Sequence, residues 1–246
     1  MAESSDNSKR FLLRVEGVNL ANVIDDTDQL STRRGGGLMV LNAATQLRES
    51  LAEDLQARLS EIATGASIGL FEFQAEGDAE EVRTVVETYL RQGTLEYETN
   101  DGTSAKLPLK HGTFVVDVVP VSDPSNVQQA VQLSVAKNRW RQVQEPSLSL
   151  QGLWDEGTEP CELDRTRVAN TTCELPEKGN TPVSQTARDR RDYGRGARQR
   201  FYENEIGSLG ERLDFTNDLK SLSERSSGDG IEIPSEGHLA DKLAVF

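Results

Sequence analysis

Val23–Leu59, VIDDTDQLSTRRGGGLMVLNAATQLRESLAEDLQARL, runs from an acidic turn through two arginines and three glycines into a long apolar-periodic stretch. From Leu38 the apolar residues fall at Leu41, Ala44, Leu47, Leu51, Leu55 and Leu59, a spacing that predicts one helix with a single inward stripe. On that reading STRRGGG is the turn in front of the helix. Its free backbone N–H groups and the positive end of the helix dipole would face an anion, and Arg33 and Arg34 would add charge. Arg33, Arg34, Gly35, Gly36 and Gly37 are therefore candidates for holding a phosphate or an RNA backbone. The alternative is that the glycines only let the turn pack closely, since neither a Walker pattern nor GxGxxG is matched.

Outward from this junction the chain alternates between strand and helix signals. Phe11 to Leu20 begins with an apolar triplet and then alternates, as a strand with one buried face would, with Gly17 weakening or bulging it. Gly65 to Ala75 has apolar residues on both parities, which predicts a strand covered on both faces. Asp78 and Glu81 form a capping-box-like start to a helix carrying Val82, Val85, Val86, Tyr89 and Leu90, with Gly93 to stop it. Leu95 to Leu109 reads as a hairpin turning at Asn100-Asp101-Gly102. Phe114 to Val121, apolar apart from Asp117 and Pro120, is expected at the centre of the sheet. Asp123 and Pro124 then open a helix running to about Trp140. The order predicts an α+β fold of the split βαβ kind, an antiparallel sheet with helices on one face, over residues 1–150.

Beyond Leu150 the pattern fades. Residues 151–186 are rich in Pro, Gly, Asn, Thr and Glu and read as an irregular module with two cysteines. Residues 187–246 read as a helical segment interrupted at Gly194 and Gly196, a second helix at Gly207 to Leu222, and a flexible tail. The tail ends in HLADKLAVF, where a new strand would begin.

A net charge of −14 argues against a protein that coats nucleic acid with its whole surface, so any such contact must be local. The local candidate is Arg188 to Arg200, RDRRDYGRGARQR, where Arg188, Arg190, Arg191, Arg195 and Arg198 stand near Tyr193, Phe201 and Tyr202. Arginine interleaved with aromatics suits single-stranded RNA; a solvated helix face paired with acidic neighbours is the alternative. Glu16 and Asp117, on what read as neighbouring strands, could hold Mg²⁺ near a nucleotide phosphate. Asp25, Asp26 and Asp28 read more simply as a solvated, cap-forming turn. Cys161 and Cys173 could bind Zn²⁺, but with His111 and His238 the only histidines, two buried thiols are the simpler reading. No cofactor is required by the sequence, and no nucleophile motif for hydrolysis is present. The chain has no apolar run of the about 18 residues a bilayer needs, and its polar N-terminus and reduced cysteines fit the cytoplasm.

IDDTDQLSTRRGGGLMVLNAATQL, the CELDRTRVANTTC module, RRDYGRGARQRFYENE and the terminal KLAVF together resemble the large palm-domain subunit of type III CRISPR effector complexes, a component of antiviral defence. That family pairs two ferredoxin-like palm domains with a cysteine-bearing module and a helical region. The resemblance covers a first palm, the module and the start of a second palm. It implies RNA or ribonucleoprotein subunits as partners, and a second palm that is encoded elsewhere, supplied by another palm-bearing chain or lost by truncation. The family's Gly-Gly-Asp-Asp hairpin and its HD nuclease signature are absent here, which implies a scaffold that is catalytically silent on its own. Two other functions stay open: a Mg²⁺-dependent nucleotide-binding palm with residual nucleotidyltransferase or cyclase activity through Glu16 and Asp117, and a stand-alone scaffold.

Overall fold

The structure, a computed structural model, describes residues 9–206 apart from 52, 76–78, 100–101, 123–126, 146–157 and 176–177. The expected caps at Asp78, Asp123 and Pro124, the turn residues Asn100 and Asp101, and everything expected from Gly207 onward, His238 and the terminal strand included, lie outside the described residues. The chain divides into two compact units, Met1–Ala197 and Arg198–Phe246, and the site geometry below concerns the first.

Strand β1, Lys9–Val18, is the middle of the fold. It pairs antiparallel with β3, Ile68–Ala75, on one side and with β6, Thr113–Pro120, on the other. β2, Ser60–Gly65, adds antiparallel to the outside of β3, so the sheet order is β2-β3-β1-β6. Helix α1, Leu30–Thr45, connects β1 to β2, with a short α2 at Glu53–Arg58, and α3, Ala79–Gln92, connects β3 to β6. Between α3 and β6 stands the hairpin of β4, Thr94–Glu98, and β5, Ser104–Pro108. The result is an α+β ferredoxin-like arrangement around an antiparallel four-stranded sheet.

Both faces of the sheet are covered, which explains why β1 is buried from Leu12 to Val18. Leu13, Val15, Phe71 and Phe73 point to the face of α1 and α3, where a Cβ on Gly17 would meet the Val40 side chain at 2.4 Å. Gly17 is thus a place of close helix approach; the β1 registers run through it without a bulge, and the irregularity lies in β2 between Glu61 and Ala63. The opposite face carries Leu12, Leu70 and Val119, packed against Val127, Ala130 and Val131 of α4, Val127–Gln144. The crossover helices α1 and α3 share one face, but α4, expected on that face with them, packs on the other and gives the sheet helices on both sides.

Four further sequence expectations are corrected here. The stripe from Leu38 to Leu59 is not one helix: α1 starts at Leu30, takes in the glycines and ends at Thr45, while Leu47, Leu51, Leu55 and Leu59 remain buried through a 3₁₀ turn and α2. β6 stands at the sheet edge; its apolar run reflects cover on two faces, and Pro120 is tolerated at the end of an edge strand. The segment expected to be irregular contains a hairpin, β7 at Thr171–Leu175 and β8 at Gly179–Val183, whose core is Cys161, Cys173, Leu175, Val183 and Ala187. Finally, α5, Gln185–Ile206, runs without a break through Gly194 and Gly196. Among the described residues no helix is long and apolar enough to cross a membrane.

Candidate functional site

The glycines and arginines singled out from sequence meet, but inside the molecule. Gly35, Gly36 and Gly37 lie past the first turn of α1, whose N-cap is Gln29, so their N–H groups serve the helix ladder and present no anion-binding turn. A Cβ on Gly35 would come to 1.7 Å from the Arg190 carbonyl oxygen, and one on Gly194 to 2.0 Å from that of Ser31. α1 and α5 therefore cross at backbone contact, which only glycine permits. Gly36 admits the Val23 carbonyl in the same way, and Gly196 that of Glu98, while Gly37 faces open space. Around the crossing, Asn42 Nδ2 donates to the Tyr193 hydroxyl at 2.5 Å, Arg34 Nη1 to the Gly194 carbonyl at 3.4 Å, and the rings of Tyr97 and Tyr193 meet edge to face at 5.1 Å. Burial beside Asp192 and Asp189 pushes the Tyr97 hydroxyl up to about 12.

Next to this crossing is a buried ion network. Arg190, with 0% of its surface exposed, forks onto Asp26, Nη1 to Oδ1 at 2.9 Å and Nη2 to Oδ2 at 2.8 Å, and also donates to the Val23 carbonyl. Arg167 Nη1 bridges Asp26 at 2.6 Å and Asp164 at 2.8 Å, and its Nη2 donates to the Asn22 carbonyl at 2.7 Å. Asp164 accepts further from the N–H groups of Thr166 and Arg167 and from the Ser184 hydroxyl. Two guanidinium and two carboxylate groups balance, so the acidic turn, the cysteine module and α5 are locked by a neutral cluster. Burial pushes the Asp164 carboxyl up, but the hydrogen bonds and charge of Arg167 outweigh it and leave Asp164 below the usual carboxylate range. Asp26 is thus no part of a solvated turn and Arg190 no RNA contact. Asp25 does lie at the surface, paired with Arg33 at 2.7 Å.

The other α5 arginines divide. Arg191 is mostly buried and donates to the Glu174 carbonyl at 3.0 Å. Arg188 donates to Thr171 at 3.0 Å from the surface, Arg195 is exposed, and Arg198 belongs to the second unit. His111 is held between Asp189, at 2.9 Å from Nε2, and Thr186, at 3.1 Å from Nδ1, a tie from the β5–β6 connection to α5.

Glu16 and Asp117 do sit on adjacent strands and one face, but arginines occupy both. Glu16 pairs with Arg14 at 2.7 Å and Arg139 at 3.4 Å, and Asp117 with Arg141 at 2.5 Å. Burial raises the Asp117 carboxyl above its ordinary range, against Arg141. Cys161 and Cys173 are free and buried, and burial raises the Cys173 thiol. Among the described residues no group of three His, Cys, Asp or Glu side chains could hold a metal.

One surface escaped the sequence reading. On the outside of α4, Leu133, Trp140 and Val143 are exposed, Trp140 by 69% and Val143 by 83%, with Lys137 and Arg139 beside them. Leu133, Lys137, Trp140 and Arg141 line an open cavity of about 470 Å³ above Asp117. The available signal was charge: the 18 residues of α4 contain three cations and no acid in a chain of net −14. No protein-family model matches the chain, and no curated protein matches it.

Proposed function

We propose that the chain is a non-catalytic subunit-interaction component, similar to the first half of the large subunit of type III CRISPR effector complexes, working in cytoplasmic antiviral defence. The single observation that supports it most is the outer face of α4, where Leu133, Trp140 and Val143 are exposed beside two cations, Lys137, which also reaches the Val118 carbonyl, and Arg139, which also pairs with Glu16. Contiguous apolar surface rimmed by charge suits a protein partner, and tryptophan and arginine are the residues that dominate such contacts. The partner proposed is a second palm-bearing chain whose docking face is apolar with an acidic margin. The ferredoxin-like sheet agrees with a palm scaffold, and the absence of Gly-Gly-Asp-Asp from all 246 residues agrees with silence as a catalyst.

The inward commitment of Arg190 takes one of the α5 arginines away from the RNA half of the expectation and favours the protein half. The nucleotidyltransferase reading would need Arg14, Arg139 and Arg141 to release Glu16 and Asp117. The test is to express the chain with a separate palm domain carrying the Gly-Gly-Asp-Asp hairpin and measure association. A complex should form, and Trp140→Ser should weaken it about 30-fold, the effect of a central hot-spot residue worth about 2 kcal/mol. No complex, or one indifferent to Trp140→Ser, would remove the proposal. If labelled single-stranded RNA, and not the palm domain, were lost in Trp140→Ser, the α4 face would be an RNA surface instead.

A further inference from the structure

Arg188, Arg191 and Arg195 fall at i, i+3 and i+7 on α5 and so share one helix face. That face and the β7–β8 hairpin enclose an open groove of about 720 Å³, with Asn180 on its opposite wall. Arg191 is the decisive residue. Its side chain is only 8% exposed, its Nη2 is used by the Glu174 carbonyl, and its Nε is buried with no hydrogen-bond partner. A buried guanidinium with an N–H lacking an acceptor is costly, and because Arg191 lines the groove an anion entering there would meet a cation whose hydrogen bonding is incomplete. Asp192 does not: its carboxylate stands 3.6 Å from Arg191 and 3.8 Å from Arg188, beyond hydrogen-bonding range, and burial holds its pKa above the ordinary value. With Glu174 also on the wall, three guanidinium groups face two carboxylates, a local excess of one positive charge in a chain of net −14.

We infer that the groove between α5 and the β7–β8 hairpin binds a phosphoryl oxyanion, held by Arg191 from within and by Arg188 and Arg195 at its rim. Planar guanidinium forks suit phosphate oxygens, and three of them on one helix face grip a single phosphoryl group or two successive ones along a strand. The groove is separate from the outer face of α4, so either can fail without the other.

The chain is titrated, at low and at moderate salt, with three probes: inorganic phosphate, adenosine monophosphate and a fluorescein-labelled adenine oligoribonucleotide. Binding of all three assigns a site for free phosphoryl groups, and binding of the oligomer alone assigns a phosphodiester; both support the inference. Affinity should fall steeply with salt and drop about tenfold in Arg195→Gln, whose exposed side chain leaves the melting temperature unchanged. Arg191→Gln should abolish binding, and if it fails to fold, Arg188→Gln and Arg195→Gln decide. No binding of any probe at low salt, or binding undiminished in Arg188→Gln and Arg195→Gln, would overturn it.

Discussion

Replacing Gly35 with alanine tests the helix crossing against the ordinary preference of helices. In an exposed helix, Gly→Ala stabilises by about 1 kcal/mol because alanine loses less backbone freedom. At Gly35 the new Cβ would lie 1.7 Å from the Arg190 carbonyl oxygen and 2.6 Å from its carbon, where real Cβ contacts under 3.0 Å are essentially unknown. Both atoms are backbone, so no side chain can swing aside, and α1 and α5 must part by more than an ångström. Parting them stretches the Arg190 fork on Asp26 and the Asn42 contact with Tyr193. Overpacking of this kind costs about 1–3 kcal/mol, and loss of the buried pair adds to it. Gly37→Ala is the internal control, because nothing lies within 4 Å of its Cβ. Urea denaturation of the two variants should therefore move in opposite directions, Gly37→Ala up by about 0.5–1 kcal/mol and Gly35→Ala down by about 2 kcal/mol or more. If Gly35→Ala stabilised as much as Gly37→Ala, the backbone crossing would be wrong.

Arg190→Met should cost about 2–4 kcal/mol in the same denaturation, since it removes the fork from the buried Asp26 and leaves it Arg167 as partner, and a loss under about 1 kcal/mol would show that the network contributes little. Asp164 has a folded pKa below its unfolded one, so it contributes stability that is present above about pH 4 and lost as pH falls through the lowered value. Asp164→Asn should flatten that acid limb in a stability profile from about pH 2 to 6; parallel profiles would contradict the assignment. Cys161 and Cys173 should react with a thiol reagent only on unfolding, and a chelator should leave the melting temperature unchanged. Fast native labelling, or a fall in melting temperature with chelator, would point to an open or metal-bound module.

What the chain disclosed by itself was what has a period. β1, α3, the β4–β5 hairpin and β6 follow from alternation, apolar runs and helical spacing, although β1 is buried on both faces and not on the one its alternation suggests. β2 was invisible because it is an exposed edge with no apolar parity, and the β7–β8 hairpin because β8, GNTPV, buries Thr181 and Val183 around Pro182 and so shows no apolar alternation. The glycines misled for a more interesting reason. Read locally they break helices, at about 1 kcal/mol each, whereas the partner that makes Gly35 necessary is the backbone of Arg190 and Gly194. Arg190 misled in the same way: in RDRRDYGRGARQR it looks like one solvated cation among six, and its acceptor Asp26 is 164 residues away. The Glu16 and Asp117 neighbourhood was read correctly from strand order, but the arginines of α4 that occupy it lie in a helix whose inner face could be set only by the packing of Ala130 and Val131.

The most direct test is amide hydrogen exchange across Arg33–Leu38, measured with and without RNA. An interior helical position at a buried crossing exchanges slowly, so Gly35 and Gly36 should be strongly protected in the free protein and unchanged by RNA. Rapid exchange of these amides in the free protein, or protection that arises only on adding RNA, would restore the anion-binding turn and contradict the account.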